Sequence, residues 1–270
     1  MIKETINQAL RKAGYKIVKL SVPVTGFYSP SGDTTHCTDF SYENAIKFVI
    51  GLHVTTEGYI RQASMPEPSL EFVSDYLKTL ANEKPLIALH IGNFVGISLT
   101  WLADRLKKIH QDSIVVSIDP NIAHRGVRYP LEVVIKLANH FSLERNIMNL
   151  VGYSLEKNIS DQANTEHEGS RFRKAGSFYP GFENTLQNLM LFSEGKYDLA
   201  LIDGNHDSAY LSRELDKVYR LLKKGGLLVL DDISEYWENR SGLKAVYDNA
   251  DQTKFIKEGA DGRVGILRKK

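Results

Sequence analysis

The stretch LIALHIGNFVG, residues 86–96, carries an apolar run into a glycine-bounded turn and leads straight into an amphipathic stretch over 98–109. A run that is apolar on both faces suits a strand covered from both sides, and a helical period directly after it makes a strand–turn–helix unit. The unit recurs downstream. Residues 114–118, 147–151, 198–202 and 226–230 read as further buried strands, with helices expected over 129–141 and 210–222. Such alternation builds one parallel sheet with helices on both of its faces. The last of these helices is expected to end on Lys223, Lys224, Gly225 and Gly226, where cations meet the negative helix end and glycine supplies a positive-φ cap.

Beyond the fifth run come a helical stretch at 241–248 and two short segments, around 254–257 and 263–267, separated by Gly259-Ala260-Asp261-Gly262. Apolar runs joined by Asp-Gly read as a hairpin. The fold class expected is therefore α/β: a Rossmann-like, doubly wound, mostly parallel seven-stranded sheet with an antiparallel C-terminal hairpin. Residues 1–84 fall outside the alternation. They read as a mainly helical N-terminal extension, with helices near 3–12, 41–52 and 69–81 and a turn-rich stretch over 23–38. The domain division expected is 1–84 and 85–270. Residues 155–183 are polar and Gly/Ser-rich where a short connection would suffice, which reads as a lid over the site or as a passive insertion.

Composition bounds the function. Of 270 residues, 42% are hydrophobic and 25% charged, values of an ordinary globular chain rather than a disordered or fibrous one. The net charge of +1 gives no bulk field for nucleic acid or an anionic membrane. The single cysteine, Cys37, excludes an intramolecular disulfide and a cysteine-cluster metal site, which suits a reducing compartment. The N-terminal sequence has no signal-peptide run and no stretch approaches a membrane span, so a cytoplasmic protein is expected. The apolar face of the added helices needs a covering surface from the same chain or a second copy, which leaves a homo-oligomer open.

The chemistry-bearing residues gather at the carboxyl ends of the expected strands. Gly92 and Gly96 allow a tight turn and close backbone approach to a ligand before the helix N-terminus; His90, Asn93, Phe94 and Ser98 share that turn. Asp119 ends the second strand, where an acid in nucleoside-binding α/β folds accepts from ribose hydroxyls. Gly152-Tyr153-Ser154 follows the third strand, Asp203-Gly204-Asn205-His206 the fourth, and Asp231-Asp232 the fifth. Ligands of open α/β sheets bind in the crevice outside these strand ends. Three carboxylates at two neighbouring ends repel one another unless a cation sits between them, and oxygen ligands suit magnesium, calcium or manganese rather than zinc. His206, next to the turn after the fourth strand, is placed to act as a general base close to a metal-bound hydroxyl.

On these residues the chain resembles class I S-adenosylmethionine-dependent methyltransferases from Pro85 to the C-terminus. The segments YDLALIDGNH (197–206) and LLKKGGLLVLDD (221–232) resemble in particular the metal-dependent macrocin and sugar O-methyltransferase branch, and more distantly catechol O-methyltransferase. The resemblance implies S-adenosylmethionine as cofactor, held at the glycine turn, at Asp119 through its ribose, and at Tyr153 and Ser154 on the adenine side. It also implies a divalent ion, magnesium the expected one, held by Asp203, Asp231 and Asp232 beside the acceptor hydroxyl. Two positions before the first glycine the family has an acid; here the residue is His90.

The function expected is metal-assisted O-methylation of a hydroxyl on a sugar, a glycosylated metabolite or another small molecule. One alternative keeps the cofactor, drops the metal and makes His206 the base. Another is a nucleotide- or dinucleotide-binding protein without methyl transfer, although the dinucleotide fingerprint needs a glycine where Phe94 stands. Nucleic acid and membrane are not expected partners. Tyr28, His36, Tyr42, Tyr59 and Arg61 are candidates to line an acceptor pocket, and Arg171, Arg173 and Lys174 to meet an acidic group on the acceptor.

Overall fold

A computed structural model of the chain describes residues 39–80, 83–156, 183–235 and 242–270. All of these lie in one compact unit, Cys37–Lys270; a second unit, Met1–His36, falls outside the described residues. So do the helix expected near 3–12, the body of the expected lid, and the candidates Tyr28, His36, Cys37, Arg171, Arg173 and Lys174.

Three helices come first: α1 (Tyr42–Gly51), α2 (Glu57–Ala63) and α3 (Glu67–Leu77), the last running into a 3-10 turn at Lys78–Leu80. Ser41 and Thr56 cap α1 and α2 by accepting from the backbone N–H groups of Asn44 and Tyr59. Then follow β1 (Ile87–Ile91), α4 (Ile97–Ile109), β2 (Ile114–Asp119), α5 (Pro130–His140), β3 (Ile147–Val151), α6 (Thr185–Ser193), β4 (Tyr197–Ile202), α7 (Ser208–Leu221), β5 (Leu222–Leu230), α8 (Leu243–Asp248), β6 (Phe255–Ala260) and β7 (Gly265–Lys269).

The strands form one seven-stranded sheet in the order β3-β2-β1-β4-β5-β7-β6. The first five in that order run parallel, and β7 enters antiparallel between β5 and β6. The expected architecture is the one found. The order reverses direction between β1 and β4, so the loops after these two strands diverge and open a crevice at their carboxyl ends.

The helices of residues 42–80 share the core of the sheet. Ile46, Val49, Ile60, Leu70 and Val73 are buried in the same cluster as Ala88 and Val115 of the strands and Trp101 and Leu102 of α4. Thus the packing is continuous across residue 84, where the sequence reading set its boundary.

Two local features differ from expectation. The α7 helix ends at Leu221 and β5 begins at once, so Gly225, at φ 77°, lies inside a strand and not in a helix cap. Its extra length is taken up where the β4–β5 register slips between Tyr197 and Leu199. Lys223 reaches across to the Asp198 carboxylate at 2.6 Å rather than to the helix end, and the other oxygen of Asp198 accepts from the Ile87 N–H. That one aspartate ties β1, β4 and β5 at the edge opposite the crevice. The α2 and α6 helices were also absent from the sequence reading. No helix of the described residues is long and apolar enough to cross a membrane.

Candidate active site

The glycine turn after β1 is set by backbone packing. A Cβ on Gly92 (φ 85°) would stand 1.9 Å from the Asp203 carbonyl oxygen, and one on Gly96 (φ 85°) 2.9 Å from Val134 Cγ2. Both positions require glycine sterically as well as conformationally. Asp119, at the end of β2, holds the turn from the other side. Its Oδ2 accepts from Asn93 N–H at 2.8 Å and its Oδ1 from Asn121 N–H at 2.7 Å. Burial raises the Asp119 carboxyl above the usual carboxylate range, against the opposing pull of backbone amides of Asn93, Asn121 and Phe94. A carboxylate has about four acceptor positions, so these amides leave room for a hydroxyl.

Beneath the turn runs a chain of neutral polar groups. Asn93 Nδ2 donates to Ser117 Oγ at 2.6 Å, Ser117 donates to Asn149 Oδ1 at 3.2 Å, and His90 Nε2 meets Ser98 Oγ at 3.1 Å. His90 is fully buried, which pushes its imidazole down to about 3, so it is neutral at physiological pH. Where the family pattern has an acid, this chain therefore has an uncharged ring. Phe94, at φ 46°, turns its ring edge-on to His124 in the loop after β2. A cleft lined by Asn93, Asp119, Asn121, Leu131, Asn149 and Val151 opens alongside.

After β3 the side chains turn inward. Tyr153 and Ser154 are both buried, and the Ser154 hydroxyl is committed inward: it meets Tyr210 Oη at 2.9 Å and donates to the Glu214 carboxyl, both on α7. Leu155 N–H donates to the same Tyr210 oxygen at 3.0 Å. Burial pushes Glu214 up to about 8, so this buried acid is protonated at neutral pH. Asn184, Thr185 and Leu186 N–H groups donate back to the carbonyls of Leu155, Tyr153 and Ser154, joining the two ends of the long connection.

The acidic edge lies after β4 and β5. Asp203, His206 and Asp232 bring one ligand-capable atom each to within 4.8 Å of one another. His206 Nε2 stands 2.6 Å from Asp232 Oδ2. With Asp232 ionised, Nε2 is the nitrogen that donates across this contact. Burial, with the neighbouring charges of Asp231 and Asp232, drives Asp203 well above the usual carboxylate range. The sequence reading grouped Asp231 with Asp203 and Asp232 as metal ligands. In the structure both Asp231 oxygens accept from Arg263, Nε and Nη2 each at 2.8 Å, and Nη2 also stands 3.3 Å from Asp232 Oδ1. This fork–fork pair engages both oxygens of Asp231, which also reaches the Asp203 carboxyl, and the compact group that offers one ligand atom each is Asp203, His206 and Asp232.

Arg263 was not singled out from the sequence because it sits in the hairpin turn. Only the β5–β7 pairing, Leu230 opposite Gly265, brings that turn beside Asp231. Of the candidate pocket residues, Tyr42 is buried on α1, near enough to Arg61 and Arg263 for their charges to act on it. Tyr59 is exposed, and Arg61 is held by Glu43 and Glu57 at 2.8 Å.

The two edges fit the groups the resemblance implies. The glycine turn and Asp119 offer a nucleoside a backbone approach and a ribose acceptor. Asp203, His206 and Asp232 offer a cation an oxygen–nitrogen–oxygen donor set.

A family profile described as "Methyltransferase domain" matches residues 89–233. No curated protein matches the chain in sequence. Among solved structures, an O-methyltransferase from Bacillus cereus in complex with SAH aligns at TM-score 0.54 and 14% identity, covering 99% of this chain and 98% of that one. The SAH-bound Podospora anserina methyltransferase PaMTH1 aligns at TM-score 0.54 and 12% identity over 100% and 97%. A methyltransferase from Geobacter sulfurreducens aligns at TM-score 0.52 and 13% identity over 89% and 90%. At these identities the likeness is one of fold.

Proposed function

The chain belongs to the methyltransferase domain family, and on that premise we propose that it transfers the methyl group of S-adenosylmethionine to a hydroxyl oxygen of a small molecule, with a divalent cation at Asp203, His206 and Asp232. A sugar or a glycosylated metabolite is the acceptor class. The observation that carries the reading is the meeting, on one crevice, of a nucleoside edge (Gly92, Asn93, Asp119) and an acidic edge whose donor atoms lie within 4.8 Å of one another. Solved structures of the same fold carry SAH by their own description, which supports the cofactor.

When bound, the cofactor supplies the electrophilic methyl, and the cation supplies the charge that eases loss of the hydroxyl proton. The chain's own residues do the rest. Asp119 accepts from the ribose hydroxyls, and Gly92 and Gly96, packed against the Asp203 carbonyl and Val134, set the turn whose backbone faces the methionine part. Asp203, His206 and Asp232 hold the acceptor's edge of the crevice so that oxygen, methyl carbon and sulfur line up; alignment is the main enzymic contribution to an in-line displacement.

The 2.6 Å contact between His206 and Asp232 favours a second reading, in which no cation takes part. Asp232 then fixes the imidazole, and Nδ1 takes the hydroxyl proton. Transfer of labelled methyl from S-adenosylmethionine to a panel of sugar and catechol hydroxyls, with and without EDTA, tests both. Loss of transfer on chelation and recovery with a divalent ion is the expected result. Chelator-insensitive transfer overturns the first reading in favour of the second, and no transfer to any hydroxyl while the donor binds overturns both.

A further inference from the structure

Among the described residues the acidic edge carries three carboxylates and one guanidinium, and the guanidinium is not placed symmetrically. Arg263 gives its fork to Asp231, whose side chain is fully enclosed, and only a 3.3 Å contact to Asp232. The arginine is itself held. Its carbonyl accepts from Ile233 N–H at 2.8 Å, and Asp261 Oδ1 accepts from the N–H groups of Arg263 and Val264 at 2.8 and 2.6 Å. The hairpin turn therefore delivers a fixed positive charge to one of the two adjacent aspartates and leaves the other to face His206.

We propose that Arg263 is a positioning residue that withholds Asp231 from the cation, so that the His206 imidazole completes the donor set and the site favours manganese-type ions over magnesium. The proposal rests on the cation reading above. Donor chemistry gives the selectivity, because an imidazole nitrogen binds transition ions better than magnesium or calcium, which prefer all-oxygen shells.

The test is Mn2+ titration of the chelator-treated full chain by electron paramagnetic resonance, with spin-echo detection of the modulation from a coordinated imidazole nitrogen. Wild type is expected to bind one Mn2+ with that modulation, and Mg2+ to displace it only at tenfold or higher excess. Asp231→Asn is expected to keep affinity within threefold, whereas Asp232→Asn and His206→Ala each lose tenfold or more. In Arg263→Gln the freed Asp231 enters the shell, so His206→Ala added to Arg263→Gln returns to within threefold of wild type and lacks the nitrogen modulation. A purely structural arginine gives no such rescue. Thermal melts report whether the Arg263 variants fold; if they do not, the isosteric Asp231→Asn against Asp232→Asn comparison decides alone. Tight Mn2+ without nitrogen modulation, or a tenfold loss in Asp231→Asn, overturns the role of Arg263 and leaves a cation held by the carboxylates. No Mn2+ binding in wild type overturns both.

Discussion

Asp119 ties the glycine turn through Asn93 N–H and, in the proposed function, also accepts from a ribose hydroxyl. Removing it costs the ligand a charge-assisted hydrogen bond, about 1.5–3 kcal/mol. Asp119→Ala is accordingly expected to weaken S-adenosylmethionine at least tenfold in calorimetry, and Asp119→Asn less. Glu214 gives a prediction of another kind. Its carboxyl ordinarily titrates near 4.5 and here near 8, so the folded chain holds a proton the unfolded chain has lost. The associated stability is full below the ordinary pKa and drains away as pH rises towards 8. Glu214→Gln keeps an acceptor for Ser154 without the ionisation cost, so the variant should gain on wild type, by on the order of 1–3 kcal/mol at pH 8, with little gain at pH 4.5. Thermal melts at both pH values check it; an equal effect at both contradicts the assignment of the buried proton. Asp119 was legible as a strand-end acid from its place after an apolar run. Glu214 was not, because its i+4 spacing from Tyr210 on an amphipathic helix looks like an ordinary surface acid until the helix is packed against Ser154.

At the scale of elements, the turn between β1 and α4 and the crossing from β1 to β4 place the site. Gly92→Ala would put a methyl 1.9 Å from the Asp203 carbonyl and force β1 and β4 apart at the crevice. The expected outcome is a lowered melting temperature together with loss of cofactor binding; a variant that binds normally contradicts the tight crossing. The helices of residues 42–80 make a separate prediction. Ile46 is fully buried in the core shared with the sheet, so Ile46→Ala should cost about 2–5 kcal/mol in denaturant unfolding. An effect under 1 kcal/mol would mean α1 does not pack as described. The strands were readable from their apolar runs, and every parallel one was found within a few residues. The errors sat where one local signal has two meanings. Lys-Lys-Gly-Gly after an amphipathic helix reads as a cap, but Gly225 serves as well for a strand irregularity, and only the pairing with β4 decides. The α2 helix, seven residues long, is too short to show a period.

For the whole molecule, a net charge of +1 hides a strongly uneven distribution. Asp203, Asp231 and Asp232 converge on one crevice, and the Arg263 guanidinium feels the charge of all three. That convergence was partly visible, since strand-end positions in a parallel sheet necessarily share an edge. The partition within it was not, because Arg263 comes from an antiparallel strand whose register the sequence leaves open. In the proposed function the donor sits between the glycine turn and Asp119 and the acceptor meets the acidic edge. The most direct test of that placement is calorimetric titration of S-adenosylmethionine into wild type and Asp119→Ala, both chelator-treated. One site on wild type, weakened at least tenfold by the substitution, is the result predicted. No binding to wild type, or equal affinity in the two proteins, contradicts it.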